Sequence, residues 1–462
     1  MKLLWVILLC LVSFGVKGQV ITTWLGGGIG GGLDGLGDGL HKDSAIIVDP
    51  TGIFFDNNGN FYCADQQGLR VRKVDTFEVI TSICGTSIAG YNGDGGLADT
   101  SKLNGPGSVI ADSIGNVYIA DASNHRIRKI DVTTGLISTI AGTGVQGFSG
   151  DNGKAVNAQI NLPGDICFDS YGNLLISDNS RIRKVDKAGI ITTIAGNGSY
   201  ASSVNGGLAD TSAIGSSAGI CTDNLNIYIY IYIYISDEHN YKIYKINNNN
   251  LITVIAGSGT GYSYNGDNMP ATSVQIAPNR IRINPKTGNL FFVDNDHPAS
   301  SRIRMIDSAG VVHTVAGNST NTYSGDNGPA TSAGIPYPSA LGFDNCGNLY
   351  IAQLIGLVCI RKVTFDTSCH KHAQMGANTS SGIKNITTTD IKIYPNPTNH
   401  VLHIDVPITM QYKLMNMVGT VMQQGALQAG CNRVDVKRLE SGIYMLEVSD
   451  GMQRMVSKVI KQ

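Results

Sequence analysis

The chain has 462 residues, enough for about three domains, and its composition excludes several classes of protein. Charged residues make up 15% of the chain, well below the usual ~25%. Lys+Arg 34 against Asp+Glu 35 give a net charge of -1, which excludes a strongly basic nucleic-acid binder and an acidic tail protein as descriptions of the whole chain. With 57 glycines, the sequence favours turns and short strands, so we expect an all-β fold.

The first 18 residues have the pattern of a secretory signal peptide. An apolar run from Leu3 to Phe14 follows Lys2, and at about a dozen residues it is too short for a membrane span of about 20. Small residues at Val16 and Gly18 fit a cleavage site. We therefore predict a signal peptide over 1–18, export, and a mature chain without a transmembrane segment.

A glycine-rich turn motif recurs along the chain and fixes the architecture. Copies are centred on Asp38, Asp94, Asp151, Asn205, Asp267 and Asp326, at steps of 54 to 62 residues. Each copy precedes four apolar segments that are rich in β-branched residues and bounded by Gly, Asn and Asp, as in short antiparallel strands. Four strands per repeat of this length indicate one blade of a β-propeller.

The number of strands predicts how the ring closes. The sixth repeat ends after the segment Ile360 to Val363, and no fourth strand follows it. A matching segment, Ile21 to Gly26, lies at the start of the mature chain. We expect this N-terminal segment to supply the outer strand of the last blade, because closure removes exposed edges. The predicted fold is a six-bladed propeller over 19–366.

The repeated segments resemble the NHL-repeat family of β-propellers, most closely in the copy that contains Asn124-His125-Arg126-Ile127. The fourth copy departs from this pattern, with Tyr241-Lys242-Ile243-Tyr244 in its third strand and four Ile-Tyr pairs from Ile227. These pairs add six residues relative to the other copies. Because six is even, the alternation of side chains along the strand is preserved.

A Ser-, Thr- and Asn-rich stretch over 367–390 indicates a linker. The segment 391–462 contains Tyr394, Pro395, Asn396 and Pro397, and later Gly442 and Tyr444. Together these motifs resemble the type A sorting domain of the bacterial type IX secretion system. The resemblance implies a small Ig-like β-sandwich, recognition by type IX secretion machinery after passage through the periplasm, and a protein that is secreted or displayed on the outer cell surface. The alternative is an ordinary accessory sandwich.

Aspartates recur on one face of the predicted propeller. They lie in the turn motifs and at the ends of second strands, the latter at Asp65, Asp121, Asp178, Asp237 and Asp294. Carboxylates gathered there could bind calcium. The alternative, favoured because the pattern repeats in nearly every blade, is that these aspartates cap turns.

Histidines provide a second candidate for metal binding. His125, His239 and His297 each follow one of these aspartates by a few residues. Related propeller enzymes combine His and carboxylates at the central channel, so zinc or calcium and a lyase or lactone hydrolase activity form one hypothesis. The sequence contains no distinct Ser-His-Asp or Cys-His set, and we name no catalytic residue.

The cysteines and arginines are assigned structural roles. Cys63, Cys84, Cys167, Cys221 and Cys359 replace apolar residues in predicted strands and are expected to be buried. The arginines of the third strands are spread evenly and offset by Asp, so no nucleic-acid partner is expected. The sequence therefore favours an exported binding module for a glycan or protein ligand, with an extracellular metal-dependent enzyme as the alternative.

Overall fold

The computed structural model describes residues 19–27, 36–202, 205–223, 232–261, 263–295, 301–365, 392–394, 401–406, 409–416, 421–428, 430–449 and 454–461. The predicted signal peptide, the linker, the motif residues Pro395, Asn396 and Pro397, and His297 lie outside the described residues. Most of the Ile-Tyr insertion does so too. The chain divides into two compact units, 1–373 and 374–462, which are described separately.

The first unit is a six-bladed β-propeller, as predicted, and each blade is an antiparallel sheet of four main strands. The strands are given from inner to outer. Blade 1 contains Pro50–Phe55, Phe61–Asp65, Arg70–Val74 and Ile80–Cys84, and blade 2 contains Pro106–Ala111, Val117–Asp121, Arg126–Ile130 and Ile137–Ala141; blade 3 contains Pro163–Phe168, Leu174–Asp178, Arg181–Val185 and Ile190–Ala195, and blade 4 contains Ser217–Thr222, Ile233–Asp237, Lys242–Ile246 and Ile252–Ala256. Blade 5 contains Pro278–Ile283, Leu290–Asp294, Arg302–Ile306 and Val311–Ala316, and blade 6 contains Pro338–Phe343, Leu349–Gln353, Cys359–Thr364 and Val20–Gly26. The inner strands contact one another around the ring, including blade 6 against blade 1.

The N-terminal strand closes the ring, which confirms the prediction. It pairs antiparallel with Cys359–Thr364, with a bulge at Trp24. Ile21 is fully buried in the apolar core between blades 5 and 6, whereas Leu25 is fully buried in the core between blades 6 and 1. The bulge places the Trp24 ring 4.9 Å from that of Phe61 in blade 1. One strand therefore stabilises two blade interfaces.

The segment that leads into each blade first crosses that blade's outer edge. In blades 3, 5 and 6 it adds a fifth short strand, at Gly153–Lys154, Met269–Pro270 and Gly328–Pro329. Single bridges do the same in blades 1, 2 and 4. Short 3-10 helices follow in five of these segments and lie at Lys42–Ser44, Ala98–Thr100, Ala155–Asn157, Ala271–Ser273 and Ala330–Ser332, while a sixth, Ala122–Asn124, follows the second strand of blade 2. The chain then turns inward to begin the inner strand.

The buried cysteines agree with the sequence analysis. Cys63, Cys84, Cys221 and Cys359 are buried and Cys167 is half-buried, and all five are free thiols. Burial raises the pKa of the Cys84 thiol to about 12. These residues therefore pack as small apolar side chains.

The second unit is a β-sandwich of two antiparallel sheets. One sheet contains Lys392–Tyr394, Val401–Val406 and Gly430–Asp435, and the other contains Val421–Leu427, Met410–Asn416, Gly442–Ser449 and Arg454–Lys461, in spatial order. Both sheets contribute to a single apolar core that includes Leu402, Leu414 and Leu446. Tyr444 is buried in this core, and its hydroxyl donates to the Glu440 carbonyl at 2.9 Å. The fold matches the sandwich that the sequence predicts.

Replacing Leu25 tests ring closure by the N-terminal strand. Leu25→Ala should lower the free energy of unfolding by about 2–5 kcal/mol, because it leaves a cavity between blades 6 and 1. Val20→Ala is the matched control, since Val20 is 41% exposed on the same strand, and it should change stability by less than about 0.5 kcal/mol. Denaturant unfolding measures both, and equal stability of the two variants would contradict the closure.

Candidate ligand site at the mouth of the central channel

The aspartates at the ends of the second strands are buried, and they accept hydrogen bonds from backbone N–H groups. Asp65 accepts the backbone N–H groups of Val48 and Asp49 at 3.1 and 2.7 Å. In the next blade, Asp121 accepts the N–H of Asn104 at 2.8 Å. The remaining three of these aspartates make the same contact, Asp178 with Asn161, Asp237 with Gly215 and Asp294 with Ala277. Each carboxylate therefore fixes the segment that leads into its own blade's inner strand, and the contacts do not bring the five together.

Burial raises the pKa of two of these carboxyl groups. Burial raises the pKa of Asp121 to about 6, although the Asn124 amide and the Asn104 N–H partly offset this effect. Burial also raises the pKa of Asp178, against the opposing influence of the Asn161 N–H and Arg183. Such carboxyl groups are buried hydrogen-bond acceptors, a role close to the turn-capping alternative but over a longer range.

The aspartates of the turn motifs pair with buried arginines of the third strands. Arg183, with no exposed surface, lies 2.9 Å from Asp151 and 3.1 Å from Asp178. Arg304 bridges Asp267 and Asp294 in the same way at 3.0 and 3.1 Å. Equivalent fully buried arginines in blades 1, 2 and 6 pair with the turn aspartate, Arg72 with Asp38, Arg128 with Asp94 and Arg361 with Asp326. These arginines of the third strands therefore form ion pairs inside the protein that connect each third strand to its turn motif.

Aromatic rings in the turn motifs cover these arginines. The Tyr91 ring centroid lies 3.8 Å from the guanidinium of Arg126 and 4.8 Å from that of Arg128. Three other blades repeat the stacking, through Phe148, Tyr264 and Tyr323. The rings shield the ion pairs from water, which strengthens them.

Blade 4 replaces this whole arrangement at once. Tyr244 takes the place of the buried arginine, and Asn205 takes the place of the turn aspartate and accepts the Val254 N–H at 3.0 Å. Ser202 stands where the stacking ring occurs elsewhere and accepts from Lys242 Nζ at 2.6 Å. The fourth repeat thus replaces the ion pair between arginine and aspartate with a hydrogen bond to the Asn205 side chain and one from Lys242 to Ser202.

The histidines do not converge on a metal site among the described residues. His125 has a left-handed backbone (φ 50°), and its Nδ1 accepts the Leu162 N–H at 3.2 Å. The His239 ring packs edge-on against Tyr200, with centroids 5.6 Å apart. Within the described part of the chain, no group of three or more His, Cys, Asp or Glu side chains could hold a metal ion.

A single arginine closes the central channel. Arg280, on the inner strand of blade 5, donates from Nε to the Thr51 carbonyl at 3.3 Å. Its Nη2 donates to Gly107 O and its Nη1 to Gly164 O, both at 3.0 Å. Nη1 also donates to the Ala218 carbonyl. These carbonyls belong to blades 1, 2, 3 and 4, so the side chain crosses the axis of the ring.

A second ion pair lies next to this closure. Arg282 donates two parallel hydrogen bonds, of 2.7 and 3.0 Å, to the carboxylate of Asp165 in blade 3. Asp165 also accepts Ser108 Oγ at 2.8 Å and the Ile220 N–H at 3.0 Å. Burial alone would raise the pKa of Asp165, but Arg282 and Arg280 outweigh it and hold that pKa below its usual value. The axis is therefore filled by a satisfied polar network.

Above the Arg280 closure, the mouth of the channel presents polar side chains that the fold does not consume. Glu238 is exposed to solvent, yet protein surrounds it on most sides, and the resulting desolvation raises its pKa against the opposing charge of Arg280. Asn279 Nδ2 lies 3.5 Å from Glu238 Oε2. An accessible carboxyl group with a raised pKa is typical of functional sites.

Tyr200 provides an exposed aromatic ring next to His239. Tyr200 is 47% exposed, and its hydroxyl donates to Asn179 Oδ1 at 2.9 Å. The ring also packs against His239, the residue after Glu238, and the Tyr200 carbonyl accepts Asn240 Nδ2 at 3.3 Å. We name as the channel-mouth site the set Asn179, Tyr200, Glu238, His239, Asn279 and Arg280.

Sequence reasoning missed most of this site because it searched for residues that repeat. Arg280 occupies the third position of the inner strand, where the other blades have Gly52, Ser108, Asp165, Gly219 and Ala340. Glu238 follows the second strand, where the others have Gln66, Ala122, Asn179, Asn295 and Leu354. The signal that could have revealed the site is this variation at positions set by a regular repeat.

Replacing Arg280 tests its role as the closure of the axis. Arg280→Met should lower the free energy of unfolding by at least about 3 kcal/mol, because buried carbonyls of four blades lose their donor. Lys286→Met removes the same charge from an exposed loop of blade 5 and should cost less than about 0.5 kcal/mol. Denaturant unfolding compares the two. Similar stability would show that the guanidinium does not hold the blades together.

Two family models match the chain. Residues 143–364 match the Teneurin NHL domain, and residues 392–462 match the secretion system C-terminal sorting domain. Human Teneurin-1 is 26% identical over 284 residues, which is 54% of this chain and 10% of that protein. Mouse Teneurin-3 is 29% identical over 279 residues, again 54% of this chain and 10% of that protein. The chain thus spans about a tenth of the length of these curated relatives.

Solved structures share the fold at low identity. A structural genomics protein of unknown function from Bacteroides thetaiotaomicron has a TM-score of 0.52 at 20% identity and covers 75% of each chain. An auxiliary nutrient binding protein from the same organism has a TM-score of 0.52 at 16% identity, covering 75% of this chain and 76% of the other. A second auxiliary nutrient binding protein, from Bacteroides ovatus, has a TM-score of 0.50 at 15% identity, with the same two shares covered.

The first matched region lies within the propeller and spans the segment before blade 3 to the end of Cys359–Thr364, and the second lies within the sandwich. Where the structure describes the chain, no helix has the length and apolar character needed to cross a membrane. The matched sorting domain indicates export to the cell surface or secretion. The chain is therefore a six-bladed β-propeller that is similar to the Teneurin NHL domain over 143–364, followed by a region, 392–462, that matches the secretion system C-terminal sorting domain.

Proposed function

We propose that this protein is an exported binding module whose ligand sits at the channel-mouth site. The observation that carries the proposal is that the repeated charges bond within the fold, while the mouth keeps side chains that do not repeat. Glu238 and the Tyr200 ring are accessible there, and Asn279 lies beside them. An aromatic surface beside a few polar groups is typical of ligand sites.

The closed axis supports binding at one face. Because the Arg280 guanidinium fills the channel at the level of the inner-strand carbonyls, a ligand at the mouth rests on a floor. Among the described residues, no group of three or more His, Cys, Asp or Glu side chains could hold a metal ion, and the candidate His297 lies outside them, so the metal-dependent lyase or lactone hydrolase stays the alternative. Calcium or zinc binding stays a prediction that elemental analysis of the purified chain can test.

The comparisons are consistent with this proposal. Two propellers of the same fold are described as auxiliary nutrient binding proteins, and a sorting domain suits a protein that meets its ligand outside the cell. Type IX secretion machinery is the partner that we assign to the sorting domain. Its recognition motif includes Tyr394, Pro395, Asn396 and Pro397, together with Gly442 and Tyr444. A glycan or a protein is the expected ligand of the propeller.

Ligand screening with mouth variants tests the binding proposal. The purified chain should bind members of a panel of oligosaccharides and short peptides by thermal shift and calorimetry. Tyr200→Ala and Asn279→Ala should weaken binding at least about tenfold, because both remove contact surface at the mouth. Tyr171→Ala is the matched control, since Tyr171 is 64% exposed on a turn between the inner and second strands of blade 3. Binding that all three variants retain would place the ligand elsewhere.

Deleting residues 391–462 tests the sorting assignment. The truncated chain should be retained in the periplasm of a host with type IX secretion, because the propeller alone lacks the segment that the machinery recognises. A full-length chain with Gln424→Ala, an exchange on the sandwich, serves as the control and should reach the surface. Cell fractionation with surface labelling measures both. Normal display of the truncated chain would overturn the assignment.

A further inference from the structure

We infer that the channel-mouth site takes a neutral saccharide, with the Tyr200 ring against the face of the sugar and the Glu238 carboxylate accepting its hydroxyl groups. This inference rests on the proposed function and names the class of ligand for the same site. It follows from three features of the mouth: a fixed aromatic ring, a paired acceptor and donor, and a buried cation that uses four of its five N–H donors within the fold.

The Tyr200 ring is a fixed, half-exposed surface. Its hydroxyl donates to Asn179 Oδ1 at 2.9 Å, and the His239 ring packs against the Tyr200 ring at 71°, with centroids 5.6 Å apart. Because these contacts order the side chain, a ligand that covers the ring meets a small entropic cost of immobilisation. The ring C–H groups of a pyranose form an apolar face that suits such a surface, while the hydroxyls at its rim need polar partners.

Glu238 and Asn279 supply those polar partners side by side. Glu238 Oε2 is an acceptor, and the Asn279 amide 3.5 Å away is a donor. A sugar hydroxyl can donate to the carboxylate and accept from the amide simultaneously, because it carries one donor and two acceptor positions. Protein surrounds Glu238 on most sides, so a hydrogen bond to its charged oxygen is stronger than one at an open surface.

Arg280 explains why the sugar should be neutral. Four contacts to carbonyls of other blades occupy its Nε and both Nη atoms, and only 8% of the residue is exposed. It therefore cannot offer the two parallel N–H groups with which arginine grips a carboxylate. The carboxylate nearest the mouth, Glu238, would repel an acidic sugar. The site thus lacks a pair of parallel N–H donors for the carboxylate of a uronate, and the negative charge of Glu238 repels that carboxylate.

Calorimetry with neutral and acidic oligosaccharides tests the inference. The full chain is titrated with neutral hexasaccharides of glucose, mannose, galactose and xylose, and with hexamers of galacturonate and alginate. At least one neutral series should bind, and the acidic hexamers should bind at least about tenfold more weakly. Tyr200→Ala and Glu238→Gln should each reduce neutral binding at least about tenfold, while Tyr200→Phe, which keeps the ring, should lose less than about threefold.

The controls separate this inference from the proposed function. Tyr171→Ala should bind like the unmodified chain, and thermal unfolding of every variant checks that it folds. Preference for an acidic hexamer, stronger binding by Glu238→Gln, or binding of peptides alone that Tyr200→Ala abolishes would overturn the neutral saccharide and leave the mouth as the binding site. Saccharide binding that no mouth variant reduces, or no binding to any probe, would overturn both.

Discussion

The propeller depends on one buried guanidinium in each of five blades. Arg183 and its equivalents lie fully inside the protein, each held by the turn aspartate at the start of its own blade. A buried guanidinium is costly unless carboxylates and carbonyls surround it. The contact joins residues more than thirty positions apart, such as Arg183 and Asp151, and thereby fixes the long segment between blades. The ion pair therefore holds the segment that links two blades against the blade that it leads into.

This constraint decides which residues are free to act on a ligand. A carboxylate that accepts buried N–H groups, as Asp65 does from Val48 and Asp49, cannot leave its partners without exposing their unmet hydrogen bonds. The repeated aspartates and arginines are therefore committed to folding in each blade where they occur. The proposed binding site accordingly lies at positions where the residue differs from blade to blade, as it does at Glu238.

The architecture could be predicted from the sequence because a repeat shows its period directly. The spacing of the turn motifs predicts six blades, and the missing last strand predicts closure by the segment at Val20–Gly26. The Ile-Tyr insertion lies mostly outside the described residues, so the effect of its even length stays a prediction. Ile233–Asp237 pairs with its neighbours as the second strand of every other blade does, with Asp237 opposite Ser217 as Asp65 is opposite Pro50.

The site could not be predicted in the same way, because its contacts cross between repeats. No spacing in the sequence shows that Arg280 reaches carbonyls in four other blades. The role of the third-strand arginines was equally hidden, although blade 4 holds a clue, since Asn205 and Tyr244 replace Asp and Arg together. Inner-strand carbonyls at the axis of a propeller need donors. The Arg280 side chain of blade 5 supplies these donors to four blades, so the equivalent inner-strand positions of the other blades need not do so. Because the residues at those positions differ, the mouth of this ring is chemically asymmetric.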